Sequence, residues 1–206
     1  MSEKEKTIAK VFILESLDFE DEEKGNYEGE IIYKILQMSS VDCEYYYFRT
    51  KQEFEYFIQK FKESNFRYLH LSCHASEEGL QTTLNEFIGV SELSMILENV
   101  LDKRRLFLSA CSLTTDSFAN LVFKNTDCYS IMGAPEAINM NDSAIFWASF
   151  YHLLFNREKN YIKHEEIKTI LYKLRQPFEI PIRYYRKSSS VKQGWKRVTL
   201  KDQKDK

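Results

Sequence analysis

Two apolar stretches of the 206-residue sequence, "RYLHLSCHAS" at residues 67–76 and "RRLFLSACSL" at residues 104–113, decide the fold. Each has the character of a buried strand, and each ends at a reactive side chain, His74 in the first and Cys111 in the second. The carboxyl ends of parallel strands lie at one edge of a sheet, and neighbouring strand tips are about 5 Å apart. If the two strands are neighbours, His74 and Cys111 meet at that edge.

Strands alternate with helices along most of the chain. Segments with a helical period separate apolar or aromatic runs that predict strands at residues 10–16, 41–49, 67–74, 105–111 and 127–136. Within this pattern, "EGLQTTLNEFIGV" predicts an added β-hairpin or an extended excursion, and "DFEDEEKGN" predicts an acidic loop. Parallel neighbours need crossover connections, which helices supply, so the predicted fold is α/β with a doubly wound, mostly parallel sheet and helices on both faces.

The chain is predicted to be one domain over residues 1–206, because its length suits a single core of ordinary size. The core of that domain is expected to cover about residues 8–176. Residues 177–206 are expected to form a C-terminal extension, in which a Pro-interrupted segment precedes a short strand near Trp195–Leu200.

Composition excludes several classes of protein. Hydrophobic residues make up 43% of the chain, net charge is −2 and the sequence pI is about 6.1, so neither disorder nor general nucleic-acid binding is predicted. No run approaches the roughly 18 apolar residues of a membrane helix, and "MSEKEKTIAK" lacks the apolar centre of a signal peptide. Four irregularly spaced cysteines then favour a cytoplasmic protein with free thiols.

A histidine beside a cysteine suits nucleophilic catalysis, because imidazole can take the thiol proton and the thiolate is the nucleophile. Cys111 also precedes a helix expected to begin near residues 114–116, and a helix N-terminus favours an anion. Each residue taken alone has a structural alternative, as a small buried hydrophobe or a core histidine. His70 and Cys73 are interpreted as structural, and no metal site is predicted because the pleat points Cys73 away from both histidines.

Together, "YLHLSCHAS" and "RLFLSACSL" resemble the caspase-like cysteine peptidases, most closely their CHAT-type branch. In that family one strand ends in the catalytic histidine, usually followed by glycine, and a later strand ends in Leu-Ser-Ala-Cys. The tract Leu108–Cys111 matches the second motif directly, and "YSIMGAPEAINMNDSAIFWASFYHLLF" is similar to the strand, loop and helix that follow. The resemblance covers about residues 67–155 and implies a caspase-like fold.

The resemblance implies the site residues. His74 would be the general acid and base, Cys111 the nucleophile, and the backbone N–H groups of Cys111 and of Ala75 or its vicinity the oxyanion hole, with Ala75 standing where the family usually has glycine. Ser109 stands where some relatives carry an acid that binds a basic P1 side chain. The substrate-pocket candidates are therefore Ser109 itself and three acids, Asp116, Glu136 and Asp142.

The predicted function is a cysteine endopeptidase that cleaves a protein or peptide substrate through an acyl-thioester intermediate, with no metal or organic cofactor. The resemblance implies regulation by, or action on, a partner protein in a microbial defence or cell-death pathway, with no direct contact with nucleic acid or membrane. One alternative is a catalytically inactive caspase-like binding or regulatory module. A second is a small-molecule acyl- or phosphate-handling α/β enzyme, disfavoured because no Gly-rich loop follows the first strand.

Overall fold

A seven-stranded sheet forms the centre of the computed structural model, which describes residues 7–156 and 162–200. The strands in chain order are β1 (Ile8–Ser16), β2 (Cys43–Tyr47), β3 (Phe66–Cys73), β4 (Ala75–Ser76), β5 (Gly79–Gln81), β6 (Phe87–Gly89), β7 (Arg105–Ser109), β8 (Ser130–Gly133), β9 (Arg183–Lys187) and β10 (Trp195–Arg197). The helices are α1 (Phe19–Lys24), α2 (Glu28–Met38), α3 (Lys51–Glu63), α4 (Val90–Ile96), α5 (Asp116–Asn125), α6 (Met140–Phe155) and α7 (His164–Leu174).

The strand order of the main sheet is β10-β9-β8-β7-β3-β1-β2. The five strands from β2 to β8 are parallel, whereas β9 and β10 are each antiparallel to the preceding neighbour. The predicted α/β fold with a mostly parallel sheet is therefore confirmed. The predicted hairpin is also confirmed, because β4, β5 and β6 form a separate three-stranded antiparallel sheet.

Two apolar layers cover the two faces of the main sheet. On β3 the pleat sends Leu69 and Leu71 into one layer, beside buried side chains of α3, α4 and α5, and Tyr68 into the other, beside α2, α6 and α7. Helices therefore lie on both faces, as predicted, and β3 and β7 lie at the centre of the sheet. Among the described residues, no helix combines the length and apolar composition that crossing a membrane requires.

The prediction of an acidic loop at residues 18–26 is wrong for most of its length, because residues 19–24 form α1. Asp18 caps this helix by accepting the backbone N–H of Asp21 at 2.8 Å, and acidic residues fill the first turn, where the helix dipole favours them. Gly25 ends the helix in the left-handed conformation with φ +72°. The helix places two carboxylates immediately after β1, at the sheet edge where the candidate site lies.

The segment expected to be a C-terminal extension contributes β9 and β10 to the main sheet. Pro181 precedes β9, which begins at Arg183, so the strand contains no proline and its N–H groups can pair with β8. Tyr184 and Tyr185 are both buried there, one in each apolar layer.

Candidate active site

The ends of β3 and β7 lie side by side. The two strands are parallel neighbours, and their last aligned pair is Ser72 with Ser109. His74 and Cys111 each follow two residues after that pair, so the chain delivers both to the same edge of the sheet. The predicted adjacency of the two strands is confirmed by this register.

Cys111 lies in a turn between β7 and α5, half-exposed, with its Sγ 3.8 Å from the carbonyl oxygen of Ile138. Ser112 turns the chain sharply, because it has the left-handed φ of +62° that non-glycine residues rarely adopt. The helix α5 begins at Asp116, and Thr115 caps it by accepting the N–H of Phe118 at 3.1 Å. The start of the helix is therefore where the sequence places it, five residues beyond the sulfur.

The other described cysteines are in unreactive surroundings. Burial raises the pKa of Cys73 and of Cys128 to about 12, and that of Cys43 to about 11. A thiol with such a pKa is almost entirely protonated at neutral pH and is a weak nucleophile. Cys73 packs in the same apolar layer as Leu71, as the alternation of the pleat predicts.

His74 faces two carboxylates, that of Asp18 at the N-cap of α1 and that of Asp21 in its first turn. Its Nε2 lies 2.8 Å from Oδ2 of Asp21 and 3.6 Å from Oδ2 of Asp18. The other oxygen of Asp21 accepts a hydrogen bond from Nδ2 of Asn26 at 2.7 Å, which fixes the carboxylate in place. The side chain of His74 is 42% exposed, so solvent and a ligand can reach the imidazole.

A row of polar side chains crosses the sheet beneath these residues. Tyr47, Glu15, Ser72 and Ser109 are aligned with one another on the neighbouring strands β2, β1, β3 and β7. Glu15 and Ser72 are almost completely buried, and so is Glu28 at the start of α2. No local pattern in the sequence predicts this row, which lies one pleat below the candidate dyad.

Glu28 connects the two strands that carry the dyad. It accepts hydrogen bonds from the hydroxyl of Ser72 at 3.0 Å and from that of Ser109 at 2.6 Å, and Ser143 of α6 lies 2.8 Å from the Ser109 hydroxyl. Burial raises the pKa of Glu28 to about 7, although the three hydroxyl groups oppose the shift. The carboxyl group beside Ser109 therefore keeps its proton to a much higher pH than an exposed glutamate does.

Glu15 has stronger donors than Glu28. Its carboxylate accepts the backbone N–H of Gly29 at 2.6 Å and of Glu30 at 3.2 Å, at the positive end of α2, and the hydroxyl of Tyr45 at 2.8 Å. Burial raises the pKa of Glu15, and these donors oppose the shift. Backbone donors at a helix N-terminus stabilise the ionised form of this acid.

His70 is a structural residue, as interpreted from the sequence. It is completely buried, and its Nδ1 lies 2.9 Å from the hydroxyl of Tyr151 while its ring packs edge-on against Trp147. Burial lowers its pKa to about 3, so the imidazole is neutral. Cys73 belongs to the opposite apolar layer, so no common metal site forms between these two residues.

The remaining predicted site residues lie at or near the same edge. Ala75 is half-buried and pairs with Leu80 in the small sheet. Asp116 accepts a hydrogen bond from the hydroxyl of Tyr185 at 2.6 Å. Glu136 is exposed in the loop after β8, and Asp142 is exposed in the first turn of α6.

Four acids at this edge were missed, namely Asp18, Asp21, Glu15 and Glu28. Asp18 suits the N-cap of a helix, Asp21 suits its first turn and Gly25 suits its end. These three signals could have indicated α1. No comparable local signal indicates the two glutamates.

Solved structures of similar fold are known, although no protein-family model and no curated protein matches the sequence. One is a secreted C11 cysteine protease from Bacteroides thetaiotaomicron in complex with an irreversible peptide inhibitor, with 11% identity and a TM-score of 0.57 over 86% of this chain and 66% of that one. A second structure of such a protease from the same organism, called iotapain, has 11% identity and a TM-score of 0.52 over 88% of this chain and 67% of that one.

These similarities define the class of fold. The chain has the fold of the caspase-like cysteine proteases, as the sequence resemblance implied. It spans about two thirds of the length of the solved structures it matches. At 11% identity the similarity is one of fold, and the activity is a separate question.

Proposed function

We propose that the protein is a cysteine peptidase in which Cys111 is the nucleophile and His74 the general acid and base. The observation that carries the proposal is the register of β3 and β7, which brings both residues to one edge of the sheet. The half-exposed positions of both side chains support it, since a protein substrate must reach the sulfur. The caspase-like fold and the Leu-Ser-Ala-Cys tract support the same assignment.

The hydrogen bond to Asp21 gives the two imidazole nitrogens different tasks. With Nε2–H donated to Asp21, Nδ1 carries the lone pair and accepts the proton of Cys111. The thiolate attacks the peptide carbonyl carbon. The oxyanion that forms accepts hydrogen bonds from the backbone N–H groups of Cys111 and Ala75. His74 gives its proton to the leaving amine, then takes a proton from the water that hydrolyses the thioester. Asp21 is a positioning residue in this scheme.

The substrate is proposed to be a protein or peptide, and the domain to belong to the CHAT-type branch. Control by a partner protein in a microbial defence or cell-death pathway, and a cytoplasmic location, are proposed with it on the sequence resemblance alone. The pocket candidates stay as proposed, namely Ser109, Asp116, Glu136 and Asp142. Of these, Ser109 and Asp116 already have hydrogen-bond partners within the fold, Glu28 and Tyr185 respectively.

The test combines covalent labelling with substrate profiling of the intact protein. A peptidyl acyloxymethylketone library should label Cys111, and labelling should disappear in Cys111→Ala and fall strongly in His74→Ala. Cys43→Ala is the matched control, because Cys43 is also half-exposed but its pKa is raised to about 11. Peptides from the profiling should be cleaved by the unsubstituted protein and not by Cys111→Ala.

One observation favours the inactive caspase-like module as a second candidate. Ala75 stands beside His74 in place of the usual glycine, and its Cβ narrows the backbone approach to a substrate. Under that alternative Cys111 would react with the probes no faster than Cys43, and His74→Ala would not change its rate. That outcome would refute the peptidase proposal.

A further inference from the structure

We propose that Asp18, Asp21 and His74 form a binding site for Zn²⁺, and that the bound ion masks the base of the candidate dyad. The masking rests on the proposed function, whereas the binding site does not. The observation is geometric: one ligand atom from each residue lies within 4.8 Å of the other two.

The fold leaves one oxygen of each carboxylate directed at the imidazole. Asp18 uses Oδ1 to cap α1, and Asp21 uses Oδ1 to accept the side-chain amide of Asn26 at 2.7 Å. The Oδ2 atoms of both residues face Nε2 of His74, at 3.6 Å and 2.8 Å. Hydrogen bonds to the atoms that do not ligate the ion are the outer contacts that orient the ligands of metal sites.

The distances and the ligand set fit zinc. In a tetrahedral site with bonds near 2.1 Å, ligand atoms lie about 3.4 Å apart. The two separations from Nε2 lie on either side of that value, and the third, between the two carboxylate oxygens, is at most 4.8 Å, so side-chain shifts of about 1 Å are enough to seat the ion. An imidazole with two carboxylates suits Zn²⁺, whereas Ca²⁺ and Mg²⁺ prefer oxygen ligands alone. The side chains of Asp18 and His74 are 53% and 42% exposed, which leaves room for a water molecule as the fourth ligand.

Zinc at Nε2 would prevent His74 from acting as a base. The ion takes the lone pair of Nε2, and a neutral imidazole must then carry its proton on Nδ1. The proton that Nε2 donated to Asp21 therefore moves to Nδ1, and Nδ1 no longer accepts the proton of Cys111. No oxidation or reduction is involved, so removing the ion restores the original tautomer.

The binding test uses the Cys111→Ala protein, so that the thiol cannot supply a ligand. Competition with a chromophoric chelator should show one Zn²⁺ per chain, and Ca²⁺ should not displace it. His74→Gln in that background should abolish binding, and Asp18→Asn should weaken it at least about tenfold. Asparagine is a good helix N-cap, so Asp18→Asn keeps α1 intact. Glu23→Gln, exposed on the same helix, is the matched control and should bind like the parent.

Equal affinities of the Asp18→Asn and Glu23→Gln proteins for Zn²⁺ would overturn the proposed site. Loss of binding in Cys111→Ala relative to the unsubstituted chain would also overturn it, because the ion would then be held by the thiol. For the masking, Zn²⁺ should slow probe labelling of Cys111, and a chelator should restore the rate. An unchanged rate at saturating Zn²⁺ would refute the masking. If Cys111 does not react with probes at all, the proposed function fails, while the binding result still decides the site.

Discussion

His70 and His74 belong to the same stretch of chain, four residues apart, and their surroundings are opposite. His70 lies inside the sheet, with no exposed surface, between Tyr151 and Trp147. His74 follows the strand end, where its side chain is 42% exposed and faces two carboxylates. Strand interiors fix a histidine as a neutral packing residue, whereas strand ends leave its nitrogens available for proton transfer or ligands.

The largest expected effect comes from the same substitution at both positions. His74→Gln should lower kcat/KM for a peptide found by profiling about 10³-fold, because general acid–base catalysis is lost. His70→Gln should leave kcat/KM near that of the unsubstituted protein and lower the melting temperature instead. Peptide cleavage and thermal unfolding measured on both variants check the contrast. Equal loss of activity in both would contradict the division between the interior and the end of the strand.

Acid unfolding should reveal the buried histidine. Burial lowers the pKa of His70 to about 3, below its unfolded value near 6.5. Its contribution to the free energy of unfolding is therefore fully present above pH 6.5 and is lost as the pH falls toward 3, by about 5 kcal/mol in full. The free energy of unfolding, measured with urea from pH 7 to pH 4, should fall less steeply for His70→Gln than for the unsubstituted protein.

His152→Gln is the control for that experiment, because His152 is exposed on α6. It should leave the decline unchanged. Parallel curves for the unsubstituted protein and His70→Gln would show that His70 is protonated as easily in the folded protein as in the unfolded chain.

A similar contrast exists between the two buried glutamates of the polar row. Glu28 is held by hydroxyl groups, whereas Glu15 accepts two backbone N–H groups of α2. The raised pKa of Glu28, about 7, means that its folding contribution is greatest below pH 4.5 and declines as the pH rises to 7. The decline amounts to about 3 kcal/mol.

Glu28→Gln should remove that decline, because glutamine does not ionise. The stability of the variant relative to the unsubstituted protein should be about 2.5 kcal/mol greater at pH 8 than at pH 5. Urea unfolding at the two pH values measures the difference. A stability difference that does not change with pH would mean that Glu28 ionises normally in the folded protein.

The central fold could be predicted because its signal is local. β3 and β7 are continuous apolar runs, and the sequence places the ends of both strands to within two residues. The helix α1 has only six residues and no buried side chain, so no apolar period indicates it. β9 was missed because Pro181 lies two residues before this five-residue strand, and a proline argues against a strand in its vicinity.

The polar half of the candidate site could not be predicted from local patterns. Glu28 meets Ser72 and Ser109 across 44 and 81 positions of sequence, and Asp21 meets His74 across 53. Such pairs form only when the sheet register brings distant segments together. A short acidic segment before a helix looks like a solvated loop until the histidine that it faces is known.

The smallest expected effect tests how His74 is oriented. Oδ2 of Asp21 accepts from His74, and Oδ1 accepts from Asn26. In Asp21→Asn one oxygen must serve two donors, so an amide N–H₂ faces either His74 or Asn26. When it faces His74, the imidazole must present the lone pair of Nε2 and carry its proton on Nδ1, which cannot then accept the proton of Cys111. With a chelator present, kcat should fall about tenfold to a hundredfold while KM changes little, since the proton transfer and not binding is affected.

Glu23→Gln is the matched control for this prediction, because it removes an equal charge from an exposed position of the same helix. NMR of the imidazole nitrogens should show the Nε2–H tautomer in the unsubstituted protein and in Glu23→Gln, and a shift toward Nδ1–H in Asp21→Asn. A fall in kcat with an unchanged tautomer would mean that Asp21 acts only through its charge. An unchanged kcat would remove Asp21 from the proposed mechanism, and His74 would then be oriented by the strand end alone.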